Sequence, residues 1–482
     1  MTYDNHLVRE VFGNICIDKA RINSCNITKQ GIPSFVAEGL LDKVIPGQGE
    51  LTLDEVARLN SFIQKAFPRK EDKNVIHFQL SEGETKHVIA LMQVRTKLEK
   101  AKLESEPLAR IDSLGFTSPT LRIPTHLVRE HEMLLRHGVW GKVSLAKITE
   151  GEVEVIGFEP YQSSCINLDL YAKYRSKFDA EQWKNLMLCS MGINPEHPNY
   201  TDEAKTWAIA RLLPLVENNF HVMELAPKGT GKSFFFENIS SKVSVIGGGK
   251  VTPAQLFISG KNREVGLLGR YSCLVLDEVQ SLTFDNPEEI IGTLKTYLAN
   301  GRYNRSGYAD IASDCSLALL ANIELDYDLQ PRYANDLICG LPTLFEETAL
   351  LDRFAGIIPG WKIPKFQESM KAKQVGLKMD FFGEVLLALR RDARYGAYAR
   401  QHSKVMIAET GEQAGIRDSD AILRSAAGFL KILYPHLELT QEDFYRDCLR
   451  PAVQIRQYIR NSMWCRDDEF RAQPRELAAE LR

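Results

Sequence analysis

The feature that most constrains this chain is a glycine-rich turn at residues 226–233, with the sequence APKGTGKS. The apolar run FHVMEL precedes it and the helix-forming segment FFFENIS follows it, so strand, turn and helix occur in the order that a phosphate-binding loop requires. Gly229 and Gly231 tolerate the backbone dihedrals that turn successive N–H groups inward around phosphate oxygens. The turn therefore predicts a nucleotide site at the start of a helix.

Each residue of this turn has an expected role toward ATP and Mg²⁺, the cofactors that the pattern indicates. Lys232 reaches the β- and γ-phosphates, and the Ser233 hydroxyl coordinates Mg²⁺. The first position of the pattern G-x-x-x-x-G-K-[ST] is Ala226 instead of glycine, and we expect alanine to be tolerated because it adopts most of the required conformations. The rest of the phosphate cradle consists of Pro227, Lys228, Gly229, Thr230 and Gly231.

A second apolar run, SCLVLDE at 272–278, predicts a buried strand that ends in two carboxylates. We expect Asp277 to hold Mg²⁺ through water and Glu278 to polarise the water that attacks the γ-phosphate. An acidic pair at a strand end also caps helices, but the phosphate-binding turn upstream favours the catalytic interpretation. The pair therefore indicates an ATPase.

Two further polar residues extend this interpretation. The apolar run SLALLAN at 316–322 ends in Asn322, which suits a residue that positions water near the γ-phosphate. In LLDRFAG at 350–356, Arg353 follows an apolar helix end, with Asp352 as its local acidic neighbour. In isolation such an arginine is a surface residue, but as the fourth motif in this order it is expected to act as an arginine finger on a neighbouring subunit's nucleotide.

Length and pattern divide the 482-residue chain into four predicted parts. Residues 1–165 mix short strand-like runs with a charged helical stretch and are expected to form an α+β accessory domain. Residues 166–365 alternate strands and helices, which predicts an α/β domain with a parallel sheet. Residues 366–450 contain amphipathic helices that form a helical lid, and residues 451–482 form a C-terminal helix and a frayed tail.

Within the accessory domain, residues 75–80, 139–148 and 152–158 are predicted strands, and VIALMQVRTKLEKAKLESE at 88–106 is a predicted helix. Basic residues give this helix one charged face, which either meets phosphates or is an ordinary solvated surface, and a charge run alone favours the solvated surface. These residues are Lys86, Arg95, Lys97, Lys100 and Lys102.

Composition and apolar patterning exclude several classes of protein. The net charge of −3 gives no global sign of a polyanion partner, so only local basic surfaces could attract one. The apolar runs are far shorter than the roughly 18 residues that span a bilayer. The N-terminus has no basic region followed by an apolar one. We therefore expect a cytoplasmic protein without a membrane partner.

The order of these motifs, followed by a helical region, resembles the AAA+ ATPases. More closely, ELAPKGTGKS, GGGKVTPAQLF, GLLGRYSCLVLDEV and LLDRFAGIIPGWKIP resemble the Lon-related BrxL proteins of bacterial BREX phage-defence systems. The likeness runs from about Trp183 through the helical region. It is specific because no generic pattern requires the sequence GIIPGWKIP.

This resemblance implies a ring-shaped ATPase that is similar to the MCM helicases and encircles double-stranded DNA, acting with other defence-system proteins. It also implies that the N-terminal region contributes to DNA binding. The ring is expected to be a homo-oligomer of six or seven subunits, single or double. Lon-like proteins carry a Ser-Lys peptidase-type domain after the lid, whereas this chain ends about thirty residues beyond its last predicted lid helix, so we expect no peptidase activity.

The MCM likeness also assigns individual residues. MCM-like motors insert a hairpin with a basic tip that faces the pore, and TYLANGRYNRSGYADIASDC predicts such a hairpin with Arg305 at its tip and Arg302 beside it. A second predicted hairpin, LFISGKNREVGLL, carries Lys261 and Arg263 at its turn. Both turns are alternatively solvent-exposed basic loops. Arg417 begins a predicted lid helix and resembles the MCM arginine that contacts the γ-phosphate.

Two other functions are compatible with the same motifs. A protein-remodelling AAA+ unfoldase lines its pore with an aromatic loop, for which Tyr303 and Tyr308 are candidates, although the neighbouring arginines favour DNA. A nucleotide-gated scaffold binds ATP to assemble and turns over slowly. The first expectation is therefore an ATP-driven DNA-binding ring in anti-phage defence, with unfoldase and scaffold as alternatives.

Overall fold

The computed structural model describes residues 3–25, 27–96, 107–148, 151–161, 166–260, 264–305 and 310–482. Helices and strands are numbered separately along the chain. The α-helices are α1 (Asn5–Phe12), α2 (Lys19–Ser24), α3 (Ser34–Val44), α4 (Leu53–Ala66), α5 (Lys73–Ser81), α6 (Thr125–Glu130), α7 (Leu168–Arg175), α8 (Ala180–Ser190), α9 (Asp202–Ala210), α10 (Leu213–Val216), α11 (Lys232–Ile239), α12 (Pro253–Leu256), α13 (Pro287–Asn300), α14 (Thr348–Leu351), α15 (Met379–Leu389), α16 (Arg394–His402), α17 (Ile416–Leu433), α18 (Gln441–Phe444), α19 (Arg450–Arg466) and α20 (Asp468–Arg471). The strands are β1 (Cys16–Asp18), β2 (Lys86–Thr96), β3 (Pro107–Ile111), β4 (Phe116–Arg122), β5 (Val139–Lys147), β6 (Val153–Pro160), β7 (Val222–Ala226), β8 (Val243–Gly247), β9 (Lys250–Val251), β10 (Ile258–Ser259), β11 (Glu264–Val265), β12 (Cys273–Asp277), β13 (Thr283–Phe284), β14 (Arg302–Tyr303), β15 (Ile311–Ala312), β16 (Ser316–Asn322), β17 (Gly356–Pro359), β18 (Val375–Leu377), β19 (Ser403–Ile407) and β20 (Leu477–Leu481).

The centre of the molecule is a five-stranded parallel sheet in the order β17-β7-β16-β12-β8. Its three inner strands are apolar runs of five to seven residues that are buried almost without exception. Both faces of a parallel sheet are covered by other elements, so its strands carry continuous apolar sequence instead of alternating apolar and polar residues. The sheet confirms the predicted parallel α/β domain.

Side chains of each central strand alternate between two separate cores. Met223 and Leu225 of β7 lie with Leu274 and Leu276 of β12 in a core that also includes α13. Val222 of β7 belongs to the other core, which is shared with α8, α9, α15 and α17. The two-residue period of a strand thus divides the apolar side chains of the sheet between its two faces.

Helices α15 to α19 follow the sheet, and the chain after them differs from the prediction. Residues Leu477–Leu481 form β20, which pairs antiparallel with β19. The expected frayed tail is therefore wrong for these residues, because the apolar side chain of Leu477 is buried in the core on which the helices pack. Among the described residues, no helix is long and apolar enough to cross a membrane.

Strands β2 to β6 close into a barrel in the order β2-β3-β4-β6-β5. β5 and β6 confirm the strands predicted at 139–148 and 152–158. The helix predicted at 88–106 is wrong for residues 88–96, which belong to β2. Ala90, Met92 and Val94 all point into the barrel core, so an alternation of period two outweighs the helix-forming composition of this segment.

Two other segments of the accessory domain differ from their predicted structure. The strand predicted at 75–80 is part of helix α5, because Ile76 and Leu80, four residues apart, form its buried face. Lys86 and Arg95 lie on β2 rather than on a helix. The remaining basic residues of the predicted helical face lie outside the described residues, namely Lys97, Lys100 and Lys102.

The first helices share the core of the α/β domain and of the helical region that follows it. β1 pairs antiparallel with β18, which directly precedes α15. Beside this pair, Lys19 Nζ donates a hydrogen bond of 2.6 Å to Glu38 Oε1, and both side chains are buried. Glu38 Oε2 accepts a second hydrogen bond, of 2.7 Å, from the backbone N–H of Met379. One buried carboxylate therefore joins α2, α3 and the start of α15.

Glu38→Ala is expected to lower the free energy of unfolding by about 3–5 kcal/mol, because it leaves the buried Lys19 ammonium and the Met379 N–H without partners. Glu84→Ala is the control, since it removes the exposed partner of Lys86 and should cost less than about 1 kcal/mol. Denaturant unfolding followed by circular dichroism measures both values. Equal losses in the two variants would contradict the structural role of the buried pair.

Candidate nucleotide site

The glycine-rich turn follows Ala226, the last residue of β7, and ends where α11 begins at Lys232. Gly229 and Gly231 have φ angles of +88° and +76°, a region that L side chains rarely adopt, so the turn requires glycine at both positions. Apart from the neighbouring residues, no heavy atom of the described structure lies within 4 Å of the position that a Cβ would occupy on either glycine. The space beside both glycines is therefore open, and the requirement for glycine is one of backbone conformation.

Ala226 does not need the conformational freedom of glycine. It is an extended strand residue that lies opposite Asn322 in the parallel register, and its φ is not positive. Its Cβ packs against Gly360, where an added Cβ would come within 2.5 Å of it. The alanine at the first position of the phosphate-binding pattern is thus accommodated by a glycine in the segment that follows β17.

The side chains of Lys232, at the start of α11, and Asn322, at the end of β16, form a hydrogen bond. Lys232 Nζ donates a hydrogen bond of 2.6 Å to Asn322 Oδ1, because β16, which ends at Asn322, lies directly beside β7. The backbone N–H of Asn322 donates to Gln280 Oε1 at 3.1 Å. The lysine and the asparagine therefore lie together at the carboxyl edge of the sheet, the edge at which open α/β sheets bind ligands.

The two carboxylates at the end of β12 have different environments. Asp277 is buried, and its Oδ1 accepts a hydrogen bond of 2.8 Å from the backbone N–H of Glu278. Glu278 is exposed and has a φ of +49°, which is uncommon for a residue other than glycine. Backbone strain of this kind clusters at functional sites. The buried carboxylate is thus fixed at the sheet edge, while the exposed one faces solvent.

The electrostatics of the site favour an anionic ligand. Burial lowers the pKa of Lys232, and the nearby carboxylates of Glu224 and Asp277 oppose this shift. A phosphate group would oppose it further, because a nearby negative charge favours the ammonium form. Ser233 in the first turn of α11 and Asp277 on β12 supply the oxygen donors that Mg²⁺ prefers. The residues present therefore fit a magnesium–nucleotide complex.

Arg211 and Glu224 form a buried ion pair beneath the turn, and sequence reasoning missed it. Arg211 Nη2 donates to Glu224 Oε1 at 2.6 Å, and Nη1 donates to the backbone carbonyl of Thr230 at 3.2 Å. One guanidinium thus fixes the phosphate-binding turn relative to β7 and the end of α9. The signal was present, because Glu224 is the charged residue within FHVMEL and Arg211 interrupts the apolar run AIARLLPLV.

Arg353 and Arg417 lie close to each other and apart from the phosphate-binding turn. Arg417 Nη1 donates a hydrogen bond of 2.5 Å to Asp352 Oδ2, and Arg353 donates to the backbone carbonyl of Ala349. Burial, together with the positive charge of Arg417, lowers the pKa of Arg353. Because β17 begins at Gly356, this arginine cluster precedes the amino end of a sheet strand.

The arginine cluster and the phosphate-binding turn occupy opposite edges of one sheet. β17 runs parallel to β7, with Gly356 opposite Val222, whereas the turn follows the other end of β7. At about 3.3 Å per residue, the five residues of β7 separate the two edges by about 16 Å. The structure therefore does not bring Arg353 and Arg417 to the turn of their own subunit.

The arms of the predicted hairpin at 302–312 are paired. β14 and β15 form an antiparallel ladder, as the β-prone sequence predicts. Arg302 is exposed at the base of the hairpin and lines a cleft of about 1340 Å³ between the barrel and the α/β domain. Arg136, Arg270 and Arg391 line the same cleft. The hairpin thus carries one of its two candidate arginines on an open, arginine-rich surface.

Arg305, the other candidate, is engaged within its own subunit. Its Nε donates to Glu289 Oε1 at 2.8 Å, and its Nη1 donates to the backbone carbonyl of Ile258 at 2.7 Å. The expectation that this arginine projects freely from the hairpin tip is therefore not met in this conformation. Lys261 and Arg263 of the second predicted hairpin lie outside the described residues, as do residues 306–309.

Two family models match this chain. Residues 153–475 match the model described as "Lon-like protease BrxL-like, ATPase domain", and residues 10–146 match "BREX system Lon protease-like protein BrxL N-terminal". The ATPase model spans the phosphate-binding turn, both carboxylates, Asn322 and the arginine cluster.

Curated relatives extend the same likeness over most of the chain. A Lon-like protease BrxL of Escherichia coli O9:H4 (strain HS) is 26% identical over an alignment of 454 positions, and the alignment covers 92% of this chain and 63% of the relative. One of Bacillus cereus (strain H3081.97) is 26% identical over 439 aligned positions, with 90% of this chain and 62% of the relative covered. An uncharacterized protein of Acidianus filamentous virus 1 is 28% identical over 172 aligned positions, with 32% of this chain and 40% of that protein covered. The chain thus spans somewhat less than two thirds of the length of the two BrxL relatives. Because one family model matches more than half of this chain, the chain belongs to the BrxL family of Lon-like proteins with an ATPase domain.

Proposed function

We propose that this chain binds ATP with Mg²⁺ and hydrolyses it. The contact between Lys232 and Asn322 carries the proposal, because it joins the phosphate-binding turn to a polar strand end beside the carboxylates of β12. Three adjacent parallel strands, β7, β16 and β12, thereby contribute to one site. A lysine, an amide and two carboxylates at one sheet edge are the groups that phosphoryl transfer to water requires.

ATP hydrolysis gives each group at this edge a separate task. The N–H groups of the turn and the ammonium of Lys232 hold the phosphates. Mg²⁺, held by the Ser233 hydroxyl and by Asp277 through water, would neutralise charge on the β- and γ-phosphate oxygens. Glu278, exposed at the end of β12, polarises the attacking water, and Asn322 orients it.

Lys232→Ala is expected to weaken ATP binding about 10- to 100-fold, because it removes charge-assisted hydrogen bonds to the phosphates. Glu278→Gln should retain binding and slow hydrolysis about 100-fold or more, because the amide cannot accept a proton from water. Titration with a fluorescent ATP analogue and phosphate release measure the two effects. Lys177→Ala, an exposed lysine after α7, is the control. Hydrolysis at the parent rate by Glu278→Gln would refute the role of Glu278.

We also propose that a second copy of the chain completes the ATP site in a homo-oligomeric ring. The arginine cluster and the turn of the same subunit lie at opposite ends of β7, which is about 16 Å long. The side chain of Arg417 is 58% exposed and the adjacent residue Ile416 is 89% exposed, so this edge is open to a neighbour. A subunit that presents its carboxyl edge here would receive Arg353 and Arg417 near the γ-phosphate, where they stabilise transition-state charge.

Arg353→Ala should leave ATP binding unchanged and lower turnover about 1000-fold, the contribution typical of an arginine finger. When Arg353→Ala subunits are mixed with Lys232→Ala subunits, some interfaces pair an intact turn with an intact arginine, and part of the turnover should return. Phosphate release across a range of mixing ratios measures the effect. Full turnover by Arg353→Ala, or by the parent protein in a demonstrably monomeric sample, would exclude a shared site.

Double-stranded DNA is the proposed partner of this ring, in anti-phage defence with other defence-system proteins. The support is the cleft between the barrel and the α/β domain, onto which Arg302 opens beside Arg136, Arg270 and Arg391. Arginines that contact phosphates hold a duplex without reading its sequence. Arg305 joins them only when its hydrogen bonds to α13 and to the carbonyl of Ile258 are exchanged for DNA phosphates.

The unfoldase alternative has less support than DNA binding. Tyr303, one of its two aromatic candidates, is buried and packs against Phe257 and Tyr297. It therefore cannot present its ring to a substrate protein, and Tyr308 lies outside the described residues. The scaffold alternative is distinguished by slow ATP turnover in the assembled parent protein.

Arg302→Ala and Arg305→Ala should each weaken duplex binding by a similar factor for unrelated sequences, and each should reduce the salt dependence of binding by about one unit of slope per lost contact. Fluorescence anisotropy of several labelled duplexes over a salt series measures both quantities. Arg471→Ala, at an exposed position on α20, is the control. If correctly assembled rings of both variants kept the parent affinity and slope, DNA binding by this hairpin would be excluded.

A further inference from the structure

Arg456 of α19 is fully buried against the turn that carries Arg353. Its Nη1 donates to the backbone carbonyls of Asp352 and Phe354, at 3.1 and 2.7 Å. Its Nη2 donates to Asp352 Oδ1 at 2.5 Å, and its Nε donates to Asp418 Oδ1 at 2.6 Å. One guanidinium therefore holds the backbone on both sides of Arg353.

Asp352 joins this arrangement to the helix that carries Arg417. Its Oδ1 binds Arg456, and its Oδ2 binds Arg417 at the start of α17. Asp418, the next residue of α17, binds Arg456 from the other side. The turn before β17 is thus tied to both α17 and α19 through charged groups, of which only Arg417 is largely exposed.

We propose that Arg456 is a positioning residue for Arg353, which it aims at the nucleotide of the neighbouring subunit. The inference rests on the proposed role of Arg353 as an arginine finger. Arg456 itself has no exposed side-chain surface, so it cannot touch a neighbour's nucleotide. Its effect on hydrolysis passes through the backbone of residues 352–354, which sets the direction in which the Arg353 side chain leaves the turn.

Arg353 depends on this support because its own surroundings constrain it weakly. Its Nη1 bonds to the carbonyl of Ala349, and its Nε is buried without a hydrogen-bond partner in the described structure. The preceding helix, α14, has four residues, too few to be stable without tertiary contacts. The hydrogen bonds of Arg456 to the carbonyls before and after Arg353, which together form a clamp, fix the backbone that this short helix cannot fix.

The geometry of the clamp requires arginine. The planar guanidinium directs its N–H groups along fixed, diverging lines, so one side chain reaches two backbone carbonyls and two carboxylates. A lysine ammonium has the same charge, but its donors leave a single atom, and it cannot reach all four acceptors together. Arg456→Lys therefore retains the buried positive charge and removes the clamp.

The test compares Arg456→Lys with Arg460→Lys in the full-length assembled protein. Arg460 lies one turn further along α19 and is also buried, but its partners are Asp418 and residues 473–474 instead of the turn that carries Arg353. Arg456→Lys should lower kcat about 10- to 100-fold, the effect of a displaced catalytic group, and leave the KM for ATP unchanged. Arg460→Lys should leave both quantities within about twofold of the parent values.

Subunit mixing separates a positioning role from a loss of stability. Arg456→Lys subunits retain an intact phosphate-binding turn, and Lys232→Ala subunits retain an intact arginine cluster. An interface between the two therefore contains both intact parts, and mixing them should restore part of the turnover. A merely structural defect would weaken binding of a fluorescent ATP analogue in the same subunit and would not be rescued. If Arg456→Lys fails to fold, Asp352→Asn takes its place and is expected to lower kcat with binding unchanged, because the Arg456 contact to a carboxylate is lost.

The outcomes separate this inference from the proposed function. If Arg353→Ala is slow but a folded Arg456→Lys ring, or Asp352→Asn in its place, keeps the parent kcat, the positioning role is overturned and the finger stands. The positioning role is also overturned if Lys232→Ala subunits restore turnover to Arg353→Ala subunits but not to Arg456→Lys subunits. If Arg353→Ala keeps the parent kcat, the finger is overturned and the positioning role with it.

Discussion

The parallel pairing of β7 with its two neighbours is the constraint on which the rest of the structure depends. Its register sets Ala226 opposite Asn322 on one side and Val222 opposite Gly356 on the other. The first pairing brings the phosphate-binding turn and a polar strand end to one edge of the sheet. The second sets the arginine cluster at the opposite edge. Since a slip of one residue would send each side chain of β7 into the wrong core, the packing of the sheet and the polarity of the candidate site are set together.

Buried charges connect segments that lie far apart in the sequence. Glu38 ties α2 and α3 to the start of α15, Arg211 ties the end of α9 to the phosphate-binding turn, and Arg456 ties α17 and α19 to the turn before β17. Because desolvation offsets most of the Coulomb attraction, such pairs add little net stability, although removal of one partner is costly. In each case the charged group also bonds to a backbone atom. The pairs therefore specify where particular turns and helix ends lie.

The parts of the fold that depend on local pattern could be predicted from the sequence. Gly229 and Gly231 are required by their dihedrals, and the strands that end in Asp277 and Asn322 are apolar runs long enough to be recognised. The apolar run at 75–80 is short enough to fit the period of a helix as well as that of a strand, so α5 was predicted as a strand. The helix-forming composition of the segment at 88–106 concealed the alternation of β2, which was predicted as a helix. The contacts of Arg305 with α13 and the pairing of β1 with β18 join segments distant in sequence, and no local pattern records them. The same holds for the opposite-edge placement of the arginine cluster, which follows from the strand order.

The pairing of β1 with β18 also bears on the order of events during synthesis. The two strands are separated by about 360 residues, so at ribosomal rates of 5–20 residues per second β1 waits roughly 20 to 70 s for its partner. Helix α3, which carries the buried Phe35 and Leu40, packs against α15, so its part of the core is incomplete throughout that time. The barrel, whose five strands lie between residues 86 and 160, is made of contacts that are available much earlier. Helix α3, made long before α15, therefore reaches its full set of native contacts later than the barrel that follows it in the sequence.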